Sequence, residues 1–298
     1  MDWRARDRRY RRQRPALAHA EDAPHESHAY PMARRATQTV TWEDLAATAE
    51  TGDIALFSGQ SLISEAIKLA EMGSHWSHIG MFVRESTGQL RIWESTNADG
   101  QVDLISGKAK GGVRLVDAET AVRSYLASAE GAMVVARRLY IDQAVLGKPG
   151  LVDPVARLPK LRAFMQHVSS LPYERNPLDL VRAAEIARWI QLVYAWRSNN
   201  SYFCSELVAC SYIQLGLLPD DSESDRHPGL YTPKDWSQEA QNLPFLYDKN
   251  TDESMVALGP HLQIVFPDAG PDPMHTPPRR MPNPRRPRLR VDLDTLQS

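Results

Sequence analysis

The chain has 298 residues, 42% hydrophobic and 24% charged, the profile of a globular protein rather than a fibrous or low-complexity one. Its formal net charge of −2 hides a contrast: fifteen of its 35 basic residues lie in 1–36 and 267–298, and the 230 residues between carry a net −8. No run approaches 18 consecutive apolar residues, so a transmembrane helix is excluded; two cysteines exclude a disulfide scaffold or a four-cysteine zinc site.

Residues 1–36 are rich in Arg, His and Ala without periodicity and are expected to form a disordered arm. The first 20 residues carry seven arginines but no apolar h-region, so no secretory signal is expected and an intracellular (cytoplasmic) setting is the default. One domain over 37–266 follows, beginning with a capped helix start at Thr41-Trp42-Glu43-Asp44-Leu45. Gly52-Asp53 leads into a buried strand, Ile54 to Phe57. Residues 61–72 show helical spacing closed by Gly73, and a β-hairpin runs from His78 to Val83 and back from Leu90 to Ser95. Val113 to Val116 reads as a strand, Asp117 as the cap of a helix to about Ser128, and Met133 to Tyr140 as one further strand.

The second half turns helical. Pro159 marks a helix start with Leu161, Phe164, Met165 and Val168 on one face; a second helix spans about Leu178 to Trp196. A third begins near Cys204 and stops at Gly216, and Leu262 to Phe266 is a last short strand. Nine of the 21 prolines fall between Pro260 and Pro287, so 267–298 is expected to be an extended Pro/Arg-rich tail. Strands early and helices late make an α+β pattern.

Cys204 is the residue with the most chemistry in it. At the first turn of a helix its sulfur sits among unpaired N–H groups, a setting that favours thiolate, although Glu206 in the same turn opposes it. Cys210, mid-helix, reads as a small buried hydrophobe. Six residues apart on one helix, the two are about 240° and about 9 Å apart, too far for a bridge. His78, at the head of an apolar strand, is the candidate base. A three-residue loop Ser86-Thr87-Gly88 would pair Glu85 with Gln89 and make Glu94 the diagonal neighbour of His78; a tighter loop at 85–87 would put Glu94 directly opposite. A two-residue Thr87-Gly88 turn would send the two to opposite faces. Thiol, imidazole and carboxylate are the parts of an activated nucleophile.

Gly52-Asp53-Ile54, Trp76-Ser77-His78-Ile79-Gly80, Trp93-Glu94-Ser95-Thr96 and Tyr202-Phe203-Cys204-Ser205-Glu206-Leu207-Val208-Ala209 occur in that order. Together they resemble the circularly permuted papain-like thiol hydrolases of the NlpC/P60 superfamily, in the YiiX/YebB-like branch, over roughly 50–240. The resemblance implies a papain-like core, with a small antiparallel sheet packed on the cysteine helix and accessory helices. It implies Cys204 as nucleophile, His78 as general base and Glu94 as the orienting third member. Trp76, Tyr173, Tyr202 and Ser205 become candidates for lining the substrate or the oxyanion, while Leu171-Pro172-Tyr173 and Thr232-Pro233-Lys234-Asp235 resemble two further family segments. The implied reaction is cleavage of an amide (peptide, isopeptide or peptidoglycan-type) or ester bond through a thioester, with no cofactor.

Two other readings compete. The related lecithin–retinol acyltransferase-like branch shares the permuted order but usually carries a second histidine where this chain has Glu94. A catalytically silent protein acting through its basic ends is the other; those ends could meet the phosphates of nucleic acid or an anionic membrane. His75 and His78 precede a strand and have no further ligand in sequence range, so no metal site is expected, and Gly111-Gly112 reads as a turn.

Overall fold

The computed structural model describes residues 38–58, 75–97, 100–141, 153–169, 171, 203–219, 228–238, 243, 247–248, 253–254, 256–267 and 289–292. The expected arm over 1–36, the helices at 61–72 and 178–196, and Tyr173 and Tyr202 lie outside the described residues.

Strand β1 (Gln38–Thr41) runs directly into helix α1 (Trp42–Thr48), whose N-cap Thr41 accepts the Asp44 N–H on Oγ1 at 3.1 Å. β2 (Ile54–Ser58), β3 (His78–Glu85) and β4 (Leu90–Thr96) follow, then the short pair β5 (Val102–Asp103) and β6 (Lys108–Ala109). β7 (Gly112–Asp117) hands over to α2 (Ala118–Leu126), where Asp117 accepts the Thr120 N–H at 3.0 Å. β8 (Met133–Arg137), β9 (Leu139–Ile141), α3 (Pro154–Val168) and α4 (Cys204–Leu215) come next. The chain closes with β10 (Tyr247–Asp248), β11 (Glu253–Ser254), β12 (Val256–Leu258), β13 (Leu262–Val265) and β14 (Arg290–Val291).

These elements make a mixed α+β fold. The main sheet, in the order β1-β13-β8-β2-β3-β4-β7, has eight strands among the described residues, counting β14, which pairs with β3. It is larger than the small antiparallel sheet expected, and two of its pairings, β1 with β13 and β14 with β3, are parallel. Alternation along the strands divides the core in two. Ile79, Met81, Val83 and Trp93 pack with Leu161 and Met165 of α3 and Leu207 and Val208 of α4. Phe82, Ile92 and Val116 pack with Trp42 and Leu45 of α1 and Val122 of α2.

Three expectations need correcting. Met133 to Tyr140 is not one strand: the backbone leaves the main sheet at Arg138, because buried Asp53 takes the Leu139 N–H on Oδ1 at 2.7 Å and the Arg138 guanidinium on Oδ2 at 3.1 Å. Helix α3 starts at Pro154 rather than Pro159; Asp153 accepts the Val155 N–H at 2.9 Å and Pro154 fills the first helical position, leaving Pro159 inside the helix. Finally, Leu289 and Val291 of the C-terminal tail are in the core. Leu289 and Val291 are each 1% exposed and β14 lies alongside Arg84 and Glu85 of β3, just past the stretch that pairs with β2. The Leu-Arg-Val alternation puts two apolar side chains on one face despite the Pro/Arg-rich surroundings.

Candidate active site

The site is built first by a turn. Glu85 N–H donates to Gln89 O and Gly88 N–H to Glu85 O, both at 2.9 Å, with Gly88 in the left-handed region at φ 92°. This is the three-residue loop, and it pairs Met81 with Trp93 and Arg84 with Leu90. Continued by one residue, that register sets Gly80 against Glu94 and makes His78 the diagonal neighbour of Glu94 on the same face. Gly80 keeps the lane between them open. A Cβ there would lie 2.6 Å from Ile92 Cγ2 and 3.5 Å from Glu94 Cβ.

Across that lane His78 Nε2 meets Glu94 Oε2 at 2.8 Å. The second carboxylate oxygen is held from the other side. Arg114, directly opposite Glu94 in the β4–β7 register, donates to Oε1 from Nε at 2.9 Å and from Nη2 at 2.8 Å. Its Nη1 donates to Lys110 O at 3.0 Å. The imidazole rests against the Phe57 ring, 5.1 Å between centroids.

Cys204 is the first residue of α4 and 4% exposed, and its thiol interacts electrostatically with the His78 imidazole. Burial opposes charge on the ring, but the hydrogen bonds and charges of Cys204 and Glu94 outweigh it and raise the His78 pKa from 6.5 to about 10. Burial likewise penalises the Glu94 carboxylate, and the His78 and Arg114 contacts overcome it, bringing its pKa down to about 2. The arrangement is an imidazolium between a carboxylate and a sulfur, which can hold a nucleophile ready and deliver a proton.

The helix start shapes the rest. Phe203 O accepts the first α-helical bond, from Leu207 N–H at 3.0 Å, so the amide of Cys204 belongs to the turn that has no intrahelical acceptors. The Glu206 carboxylate turns back to the Phe203 N–H at 3.4 Å. Ser205 lies beside Cys204, but its hydroxyl donates to Tyr231 O at 2.6 Å and ties α4 to the segment holding Thr232 to Asp235. There the Asp235 carboxylate accepts the Thr232 N–H at 2.8 Å and opens a short 3₁₀ turn over Pro233–Trp236. Trp76 is 3% exposed and meets the His261 ring edge-on, 5.0 Å between centroids. His261 Nε2 accepts the Gln238 N–H at 3.0 Å, and burial with the nearby Arg137 charge lowers its pKa to about 4, so this second imidazole is neutral.

Sequence reasoning missed Arg114. Its signal was a lone cation in the apolar run Val113 to Val116, on a strand whose partner could not be known from sequence. Among the described residues no group of three or more His, Cys, Asp or Glu could hold a metal ion, and no helix is long and apolar enough to cross a membrane.

Compared with known proteins, the chain matches no protein-family model and no curated protein sequence. Among solved structures it is similar to the metalloprotein yiiX from Escherichia coli O157:H7, at 19% identity and a TM-score of 0.34, covering 70% of this chain and 96% of that one.

Proposed function

We propose that the protein is a cysteine hydrolase of the permuted papain-like type, with Cys204 as nucleophile, His78 as general acid and base, and Glu94 as orienting residue. The observation that carries this reading is the imidazole of His78, bonded at Nε2 by Glu94 at 2.8 Å and held charged in part by its interaction with Cys204 at the head of α4. Glu94 from β4 and Cys204 from α4 thus both act on the His78 imidazole of β3. The order of the imidazole and carboxylate strands before the cysteine helix is the permuted one.

The chemistry follows from the geometry. The Cys204 thiolate attacks the carbonyl carbon of an amide or ester, forming a C–S bond while the carbonyl electron pair moves to oxygen. The Cys204 N–H, in the first turn of α4, is the donor placed to receive that oxyanion. When the carbonyl re-forms, the C–N or C–O bond breaks and the leaving group takes the proton from the His78 imidazolium. Water then adds to the thioester as His78 removes its proton; the C–S bond breaks, and the acid departs with thiolate and imidazolium restored. Glu94 at the position where the acyltransferase-like branch usually has a histidine supports water over a lipid as acceptor.

The test is acyl trapping. Incubated with 4-nitrophenyl esters of short acids and quenched in acid, the protein is expected to carry the acyl group as a thioester on the Cys204 peptide, and Cys204→Ala to carry none. A folded wild-type protein that never acylates Cys204 across such donors, while Cys204→Ala releases nitrophenol equally well, would contradict the reading.

A further inference from the structure

Glu94 spends its two oxygens on two different partners, and something must enforce that division. A carboxylate on a strand can turn its plane about its last torsion and swing away from either partner. Here rotation is blocked: Oε1 receives two N–H groups of one guanidinium, at 2.9 and 2.8 Å, from the residue directly across the β4–β7 ladder. The guanidinium cannot drift either. Its side chain is 4% exposed, and Nη1 is fixed on the Lys110 carbonyl at 3.0 Å. Only Oε2 is left to His78.

We propose that Arg114 is the positioning residue of the site, acting through Glu94 to hold the carboxylate, and with it the His78 ring, in one orientation toward Cys204. This rests on the hydrolase reading and adds a fourth member to it. The four groups run from α4 across β3 and β4 to β7, sulfur, imidazolium, carboxylate, guanidinium, and the last three alternate in charge. In a row of this kind each buried charge has an opposite neighbour, so no member bears its desolvation cost alone. A purely structural ion pair would hold the β4–β7 ladder together and leave the Cys204–His78 pair unaltered if it were removed from a protein that still folds. A positioning role transmits the loss to the sulfur.

The experiment compares pH profiles of iodoacetamide alkylation at Cys204, by peptide mapping, in wild type, Arg114→Met, Arg114→Lys, Glu94→Gln and the double variant Arg114→Met/Glu94→Gln. Thermal melts establish which variants are folded. Arg114→Met is expected to move the acid limb of the profile toward that of Glu94→Gln by about one pH unit, roughly a tenfold rate loss on that limb. The double variant is expected to move no further than Glu94→Gln alone, because Arg114 acts only through the carboxylate. Lys keeps the charge but cannot give two coplanar N–H groups to one oxygen, so Arg114→Lys should fall between, and it carries the test if Arg114→Met does not fold. A folded Arg114 variant with the wild-type profile overturns the proposal and leaves the hydrolase reading intact. A wild-type protein whose Cys204 shows no reactivity beyond that of Cys210 overturns both.

Discussion

His78 and Glu94 stand 2.8 Å apart across the β3–β4 hairpin, on positions that are diagonal rather than opposed. The pair therefore depends on the loop of Ser86, Thr87 and Gly88, which sets the register six to ten residues from the chemistry. A one-residue change in that loop would turn one partner to the other face of the sheet.

The pair also makes stability depend on pH, and the sign can be worked out for each partner. The His78 pKa is raised from 6.5 to about 10, so its contribution is complete below about 6.5 and is lost as pH rises toward 10. That of Glu94 is lowered from 4.5 to about 2, so its contribution is complete above about 4.5 and is lost as pH falls toward 2. Removing one partner of a buried ion pair costs about 3–5 kcal/mol. The Tm difference between wild type and Glu94→Gln should therefore peak between about pH 4.5 and 6.5 and narrow on both sides. A difference that is flat with pH would show that the pair is not charged in the folded protein.

Gly80 is predicted to be intolerant of a methyl group. A Cβ would sit 2.6 Å from Ile92 Cγ2, a branched side chain with 0% exposure and nowhere to retreat. Gly80→Ala should destabilise by about 1–3 kcal/mol in urea unfolding. Because the same Cβ lies 3.5 Å from Glu94 Cβ, it should also lower the rate of Cys204 acylation beyond any loss of folded protein. Wild-type stability would contradict the packing described.

Asp53 serves three partners from a fully buried position: the Glu50 N–H at 3.0 Å, the Leu139 N–H at 2.7 Å and Arg138 at 3.1 Å. Asp53→Asn keeps the shape but removes the charge and leaves an amide facing a donor. A loss of about 3–5 kcal/mol is expected, measured by the urea midpoint. Asp53→Ala should be worse, since it also strands the Leu139 N–H.

The C-terminal strand gives a prediction that composition alone would not. Leu289 is 1% exposed, and its carbonyl accepts the Thr51 N–H at 3.4 Å, while Val291 O accepts the Ser86 N–H at 2.9 Å. Leu289→Ala should cost about 2–4 kcal/mol, and a stop codon at 289 at least as much. A truncated protein as stable as the full chain would remove β14 from the fold.

What the sequence made legible was local. The Thr41 and Asp117 caps, the loop at Gly88 and the stop at Gly216 each announce themselves within a few residues, and all are in the structure. What it concealed depends on distant partners. The break at Arg138 is made by Asp53, 86 residues from Leu139, and the role of Arg114 by a carboxylate 20 residues away on another strand. The start of α3 differs from the expected one because Asp153-Pro154, a capping side chain followed by a first-turn proline, begins the helix and Pro159 is accommodated inside it. β14 was hidden because a two-residue strand has too short a period to stand out in a run of proline and arginine. Of the expected site residues, His78 and Glu94 meet at 2.8 Å, while the Trp76 ring lies against His261 and the Ser205 hydroxyl is committed to Tyr231 O.

The central claim is that His78 holds the Cys204 sulfur ready to react, and the alkylation rate of Cys204 against pH tests it most directly, with Cys210 as internal control and His78→Ala alongside. Cys204 is expected to react quickly near pH 6, where an ordinary thiol of pKa about 8.5 is almost wholly protonated, and His78→Ala should abolish that acid-side reactivity. A Cys204 as inert as Cys210, or one indifferent to His78→Ala in a folded protein, would contradict the account.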